Sequence, residues 1–132
     1  MNTIIKMIWI VFLCLVSANL SAQAQLTIEN KSQRQMTVKV MKGVNKGSLH
    51  QMVQILPYSN ETIYFSESGQ YFCKTKAVLR DKKPVYQKGQ PFKVINDHTG
   101  YSVMTLTFSI KESNIPQITG GKTISKSEFD QN

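Results

Sequence analysis

The stretch that decides the fold is ESGQYFCKTKAVL, Glu67 to Leu79. Taken two residues at a time, it separates cleanly. Tyr71, Cys73, Thr75 and Ala77 fall on one side, and Lys74 and Lys76 on the other. A period of two is the signature of a β-strand, whose successive side chains point to opposite faces. Two lysines on one side settle which face meets water, so Tyr71 and Cys73 are expected to point into a core.

The same period recurs on either side of this stretch. In Met36-Thr-Val-Lys-Val40, the apolar Met36, Val38 and Val40 alternate with Thr37 and Lys39. Ser102 to Lys111 sets Met104, Leu106, Phe108 and Ile110 against Thr105, Thr107 and Ser109. Shorter β-rich runs lie at Leu26–Ile28, Gln51–Leu56, Thr62–Phe65, Val85–Gln87 and Phe92–Ile95. Turn residues separate them, as in KGVNKGS (Lys42 to Ser48) and NDHTG (Asn96 to Gly100). Pro57, with no N–H for a ladder, closes the third run. The expected fold is all-β: a single antiparallel β-sandwich of two sheets and about seven strands. An open barrel is the alternative.

The N-terminal residues have the build of an export signal. Lys6 is the one charge before an apolar run from Met7 to Val16, and Ala22-Gln23-Ala24 supplies an A-x-A cleavage site. The run is about half of the roughly 20 residues a spanning helix needs. Cys14 lies inside it behind Leu13, not behind the small residue a lipoprotein signal requires. The expected organisation is a cleaved signal peptide over 1–24, a sandwich domain over 25–113, and a polar, flexible tail over 114–132. Ser125-Lys-Ser-Glu128 fits a capping box, but with four residues after Glu128 no helix is expected. Cleavage leaves 15 basic and 8 acidic residues, a mature charge of +7, and Cys73 as the sole cysteine. A domain of about 100 residues needs no disulfide, and the lack of one points to a bacterial envelope, periplasmic or cell-surface.

Glu67-Ser-Gly-Gln-Tyr71-Phe-Cys73 resembles the tyrosine corner of immunoglobulin-like domains. The resemblance implies that the Tyr71 hydroxyl returns to backbone a few residues upstream. The chain departs from that pattern in three ways: Cys73 has no partner, the mature chain has no Trp, and the motif sits in mid-chain. Leu56-Pro57, Ile63-Tyr-Phe65 and Gly69-Gln-Tyr71 together resemble prealbumin-like and carboxypeptidase-regulatory-like sandwiches. That likeness implies a positive φ at Gly69 and a Tyr71 hydroxyl bonded near the turn. The chain as a whole also resembles small exported bacterial proteins of unassigned function.

Catalytic chemistry finds little support. Cys73 with His50 or His98 would make a nucleophile and base, but Cys73 lies on the apolar side of its strand and reads as a small buried hydrophobe. Asp97-His98 sits in a stretch composed like a β-turn, not a metal site. The carboxylates Glu61, Glu67, Asp81 and Glu112 are scattered singly and read as surface. No catalytic, metal or cofactor residue is assigned.

The basic excess stands above this background. Lys74, Lys76, Arg80, Lys82 and Lys83 fall within ten residues, on the outward face of one strand and the turn after it. They are the expected contact patch for an anionic partner such as a glycan, a lipid headgroup or an envelope protein. Solvated lysines guarding a strand edge are the plainer explanation. Nucleic acid is disfavoured, because no aromatic-interleaved motif appears. Tyr58, Tyr64, Tyr86 and Tyr101 are candidates for stacking on sugars. The sequence therefore implies an exported binding or accessory module. The rival is a structural subunit joined to an envelope assembly through an edge strand or the C-terminal tail. A thiol-dependent enzyme ranks below both. Asn30 and Asn60 each open an N-x-S/T sequon.

Overall fold

The computed structural model describes residues 23–112, 117–118 and 121–132. The signal expected over 1–24 therefore lies outside it, apart from Gln23 and Ala24. The long strands are β1 (Ala24–Asn30), β2 (Gln35–Gly43), β3 (Gly47–Ile55), β4 (Asn60–Phe65) and β5 (Gly69–Val78). After them come β6 (Val85–Gly89), β7 (Phe92–Val94), β8 (Asn96–Asp97), β9 (Gly100–Tyr101) and β10 (Val103–Phe108). The chain closes with β11 (Ile110–Lys111), β12 (Gln117–Ile118), β13 (Gly121–Thr123) and the short helix α1 (Lys126–Asp130).

Two sheets face each other. One runs β10-β1-β4, the other β13-β6-β5-β2-β3, with β7 continuing the β6 lane along β5. The break between β6 and β7 falls at Gln90-Pro91, where proline has no N–H to donate. The fold is the all-β sandwich that the alternation implies. The strand pairs are antiparallel, with the exception of β1 and β10, which run parallel.

The core forms where the apolar phases of these strands meet. Leu26 and Ile28 of β1 and Ile63 and Phe65 of β4 pack against Met36, Val38 and Val40 of β2 and Tyr71, Cys73 and Ala77 of β5. Each fully buried aliphatic or aromatic side chain contributes about 1.5–3 kcal/mol relative to exposure. Met104, Leu106 and Phe108 of β10 close the edge of this cluster as half-buried members. Ala24, on the signal side of the expected cut, is the first residue of β1; it lies opposite Phe65 and is fully buried.

Tyr71 makes the hydrogen bond expected of it, donating its hydroxyl to the Glu67 carbonyl at 3.3 Å. Gly69 corrects the expectation: it is the first residue of β5 and is not among the positive-φ residues. The glycines the backbone does require are at the β2–β3 turn. Gly43 has φ +136°, and a Cβ on Gly47 would lie 2.1 Å from the Lys42 carbonyl oxygen.

Beneath the β1–β2 connection is a polar knot that the sequence does not advertise. Arg34 is fully buried. Its Nε and Nη2 donate to the two carboxylate oxygens of Glu112 at 2.8 and 3.2 Å. Its Nη1 donates to the carbonyls of Ala77 and Lys83 at 3.2 and 2.9 Å. Asn30, equally buried, shares its amide hydrogens among the carbonyls of Arg34, Ile55 and Leu56, while its Oδ1 accepts from Ser32. Glu112 lies at the surface as expected, and from there it serves as the counter-ion of a buried guanidinium. The first sequon has its acceptor nitrogen locked inside the fold; Asn60 is exposed.

Glu112→Ala removes the counter-ion of a buried guanidinium and should cost about 2 kcal/mol, less than for a fully buried pair because Glu112 itself is exposed to solvent. Arg34 holds the Glu112 carboxyl below its ordinary value, chiefly through the hydrogen bond. A depressed acid contributes stability that is complete above its unfolded pKa, about 4.3. That stability is lost as pH falls through the lower folded value. Urea unfolding should therefore show wild type and Glu112→Ala well separated at pH 7 and converging as the pH drops below about 4.

Candidate functional site

The outer face of the larger sheet carries a row of lysines. Antiparallel pairing sets Lys39 of β2 directly opposite Lys74 of β5, Lys74 opposite Lys88 of β6, and Lys88 opposite Lys122 of β13. Directly opposed residues share a face, and like charges so placed are destabilising. Four lysines in one row across four strands is therefore an arrangement the sheet needs other groups to offset.

Two of the four are offset by the C-terminal segment. The residues expected to form a loose tail without a helix instead add β13 to the sheet and then fold as α1 across its outer face. Ser125 caps the helix as its motif suggests, its Oγ accepting from the Glu128 N–H at 3.1 Å. Five residues cannot hold a helix by propensity alone; contacts with the sheet hold this one. Phe129 is buried, its ring 4.7 Å beneath the Lys39 ammonium and 5.6 Å from the Tyr86 ring. Lys39 donates to the Phe129 carbonyl and to Asn132 Oδ1, both at 2.9 Å. Lys74 donates to the Glu128 carbonyl at 2.9 Å and to the Gln131 carbonyl. The sheet thus supplies the cations that a helix C-terminus attracts; the last turn of α1 has none of its own.

The five predicted patch residues consequently divide. Lys74 is 5 % exposed, not an open contact residue. Burial, followed by the Lys39 ammonium beside it, lowers its pKa from the ordinary lysine value. Lys76 lies 6.0 Å over the Tyr86 ring. Arg80, Lys82 and Lys83 are exposed on the turn after β5, where Asp81 takes φ +66°. The structure brings Lys39, Lys88 and Lys122 to Lys74 instead. Local alternation does place Lys39 on an outward face, but the row depends on register between strands, which no single stretch encodes.

Beside α1 the row opens into a groove of about 790 Å³. Met41 and Phe72, both buried, form its floor, and Lys46, Lys74, Lys88 and Glu128 stand around it. Lys88 sits 4.7 Å over the Phe72 ring and donates to the Asn45 carbonyl at 3.0 Å. Of the tyrosines considered for sugar stacking, Tyr58, Tyr64 and Tyr101 are exposed and Tyr86 is half-buried against Phe129.

The imagined thiol chemistry has no geometry to support it. Cys73 is buried in the core, and burial pushes its thiol up to about 12. The His50 ring stacks on Phe65 at 4.9 Å and meets the Tyr71 ring edge-on, with Nε2 3.0 Å from the Tyr64 carbonyl. Asp97 is occupied as a turn former, accepting from the Thr99 N–H at 2.8 Å between β8 and β9. Among the described residues no three His, Cys, Asp or Glu side chains group as metal ligands. No family model, curated protein or solved structure matches the chain.

Alkylation followed by intact mass should find Cys73 unreactive in the native protein at pH 8 and fully labelled in denaturant. Rapid native labelling would contradict both its burial and its raised pKa.

Proposed function

We propose that the chain is an exported, non-catalytic β-sandwich module that binds an anionic partner on the outer face of its larger sheet. The observation that carries this reading is the register of Lys39, Lys74, Lys88 and Lys122, four like charges opposed across adjacent strands. Lys39 and Lys74 serve as anchors for α1, and a partner bearing several negative charges would offset the repulsion that remains along the row at Lys88 and Lys122. Arg80, Lys82 and Lys83, exposed on the turn after β5, add to the positive field and act in steering. Export rests on the Met1–Ala24 pattern, and a periplasmic or cell-surface setting follows from it.

The test is retention on a sulfated-glycan column at low ionic strength, with a neutral dextran column as control. Lys88→Gln with Lys122→Gln should lower the eluting salt concentration more than Arg80→Gln with Lys82→Gln, although each pair removes two charges. Failure of the native protein to be retained would refute the reading.

A second reading, a subunit joined to an assembly through a sheet edge, is favoured by β3. Its nine residues contain no Lys, Arg, Asp or Glu, and in the sheet it pairs with β2 alone, leaving an edge without the charges that usually guard one. Under it, Met52→Lys, on an exposed position of that edge, should abolish any self-association seen by sedimentation. A native protein that stays monomeric at high concentration and joins no larger complex would remove this reading.

A further inference from the structure

We propose that the segment Ser125–Asn132 is a strap over the lysine row, lifted off when an anionic glycan chain binds there. This rests on the anionic-partner reading and adds to it how access to that face is controlled.

α1 is joined to the sandwich by little. Its five residues are too few to be helical unsupported. The Ile124 N–H donates to the Tyr86 carbonyl at 3.1 Å, so the chain up to Ile124 stays tied to β6 if the residues after it move. From Ser125 onward Phe129 is the one buried residue, and its ring meets Tyr86 and the Lys39 ammonium. Phe129 is not part of the core cluster, which lies on the other face of β2 and β5. α1 can therefore leave the outer face without opening the sandwich. Segments with few buried apolar contacts are the ones that open locally at low cost.

What the strap covers points to a ligand. Lys39 is 8 % exposed and Lys74 5 %, and lysine is seldom buried without a charged partner. Here the bonded acceptors carry no formal charge: the Phe129 carbonyl and Asn132 Oδ1 for Lys39, the Glu128 and Gln131 carbonyls for Lys74. The acids of the segment do not make these bonds. Asp130 pairs with Lys126 at 2.7 Å within α1, and Glu128 acts on Lys74 only through space. Ionised acceptors form the stronger bonds to ammonium groups. A polyanion that follows the row from Lys122 and Lys88 offers Lys74 and Lys39 better acceptors than α1 does, and reaches them only once α1 has moved. Lifting also carries Glu128 and Asp130 away and leaves the row more positive. The glycan thus favours the lifted arrangement over the seated one, which is what a ligand needs to shift the balance between them. While α1 is seated, the site's affinity is reduced by the fraction of molecules in which it is lifted.

Hydrogen exchange of the native protein, with and without a short dextran sulfate oligomer at low ionic strength, tests the inference. The Glu128 and Phe129 amides, bonded to Ser125, should exchange at least tenfold faster with the oligomer bound, while those of β2 and β5 keep their protection. In calorimetry, Phe129→Ala should bind the oligomer at least fivefold more tightly than the native protein. Phe129→Leu, which keeps an apolar anchor, should stay within about twofold of native. Adding Lys39→Gln and Lys74→Gln to Phe129→Ala should remove the gain. Cys73, on the inner face, reports on the fold: resistance to alkylation in Phe129→Ala shows that the gain does not come from unfolding. If Cys73 does label in that variant, the exchange experiment on the unmodified chain decides alone. Unchanged or slower exchange at Glu128 and Phe129 in the bound native protein overturns the strap, as does native affinity in a folded Phe129→Ala. Binding of the oligomer by the native protein leaves the broader reading standing in either case. A native protein that neither binds the oligomer nor is held by the sulfated-glycan column removes both.

Discussion

One guanidinium ties several distant segments of the chain together at one end of the sandwich. Arg34 follows the β1–β2 connection, and its nitrogens reach the end of β5 at Ala77, the loop beyond it at Lys83, and Glu112 near the end of the last long run of strands. A charge with no access to water is tolerable only when every donor is satisfied, so these segments must arrive together or not at all. The Asn30–Ser32 hydrogen bonds set the turn that aims Arg34 inward. Cooperativity at this end of the molecule therefore rests on polar geometry as much as on apolar area.

At the opposite face of the larger sheet, electrostatics is handled differently. Lys39 and Lys74 are screened from each other by carbonyl oxygens of α1, whereas Lys88 and Lys122 are left to the aromatic face of Phe72 and to solvent. Arg34 faces a formal negative charge, so its electrostatics are closed. The lysine row is met by backbone and side-chain carbonyls, with the Glu128 and Asp130 carboxylates near Lys74 but not bonded to it. That contrast separates a cation closed by an ion pair from cations held by carbonyls or left to solvent.

Much of the architecture was legible because it is written in a local period. The alternation in Gln70–Leu79 and in Met36–Val40 places the inward residues correctly, and Tyr71 and Cys73 lie where their side of the strand requires. Ser125 and Glu128 carried the capping signal, but the helix that follows was not expected from so short a remainder of chain. What escaped was long-range. Arg34 sits in NKSQR, a stretch indistinguishable from an exposed turn until Glu112, 78 residues later, is brought beside it. The docking of α1 depends on Lys39 and Lys74, which bond to it across separations of 90 and 54 residues. The lysine row required knowing which strands are neighbours and in what register. Gly69 was misjudged for the opposite reason: a short resemblance suggested a backbone conformation that the strand does not need.

The parallel pairing of β1 with β10 also sets the order of events in folding. Glu29 and Thr107 are hydrogen-bonded neighbours although 78 residues separate them, and β1 is the central strand of its sheet. The first strand made is consequently among the last to be completed, since one of its two edges waits for nearly the whole chain. Contacts of such range make for slow folding, on the millisecond-to-second scale of other non-local β proteins. A chain emerging from its N-terminus must carry β1 half-paired until β10 follows, and during that interval its open edge is the segment most in need of protection from other chains.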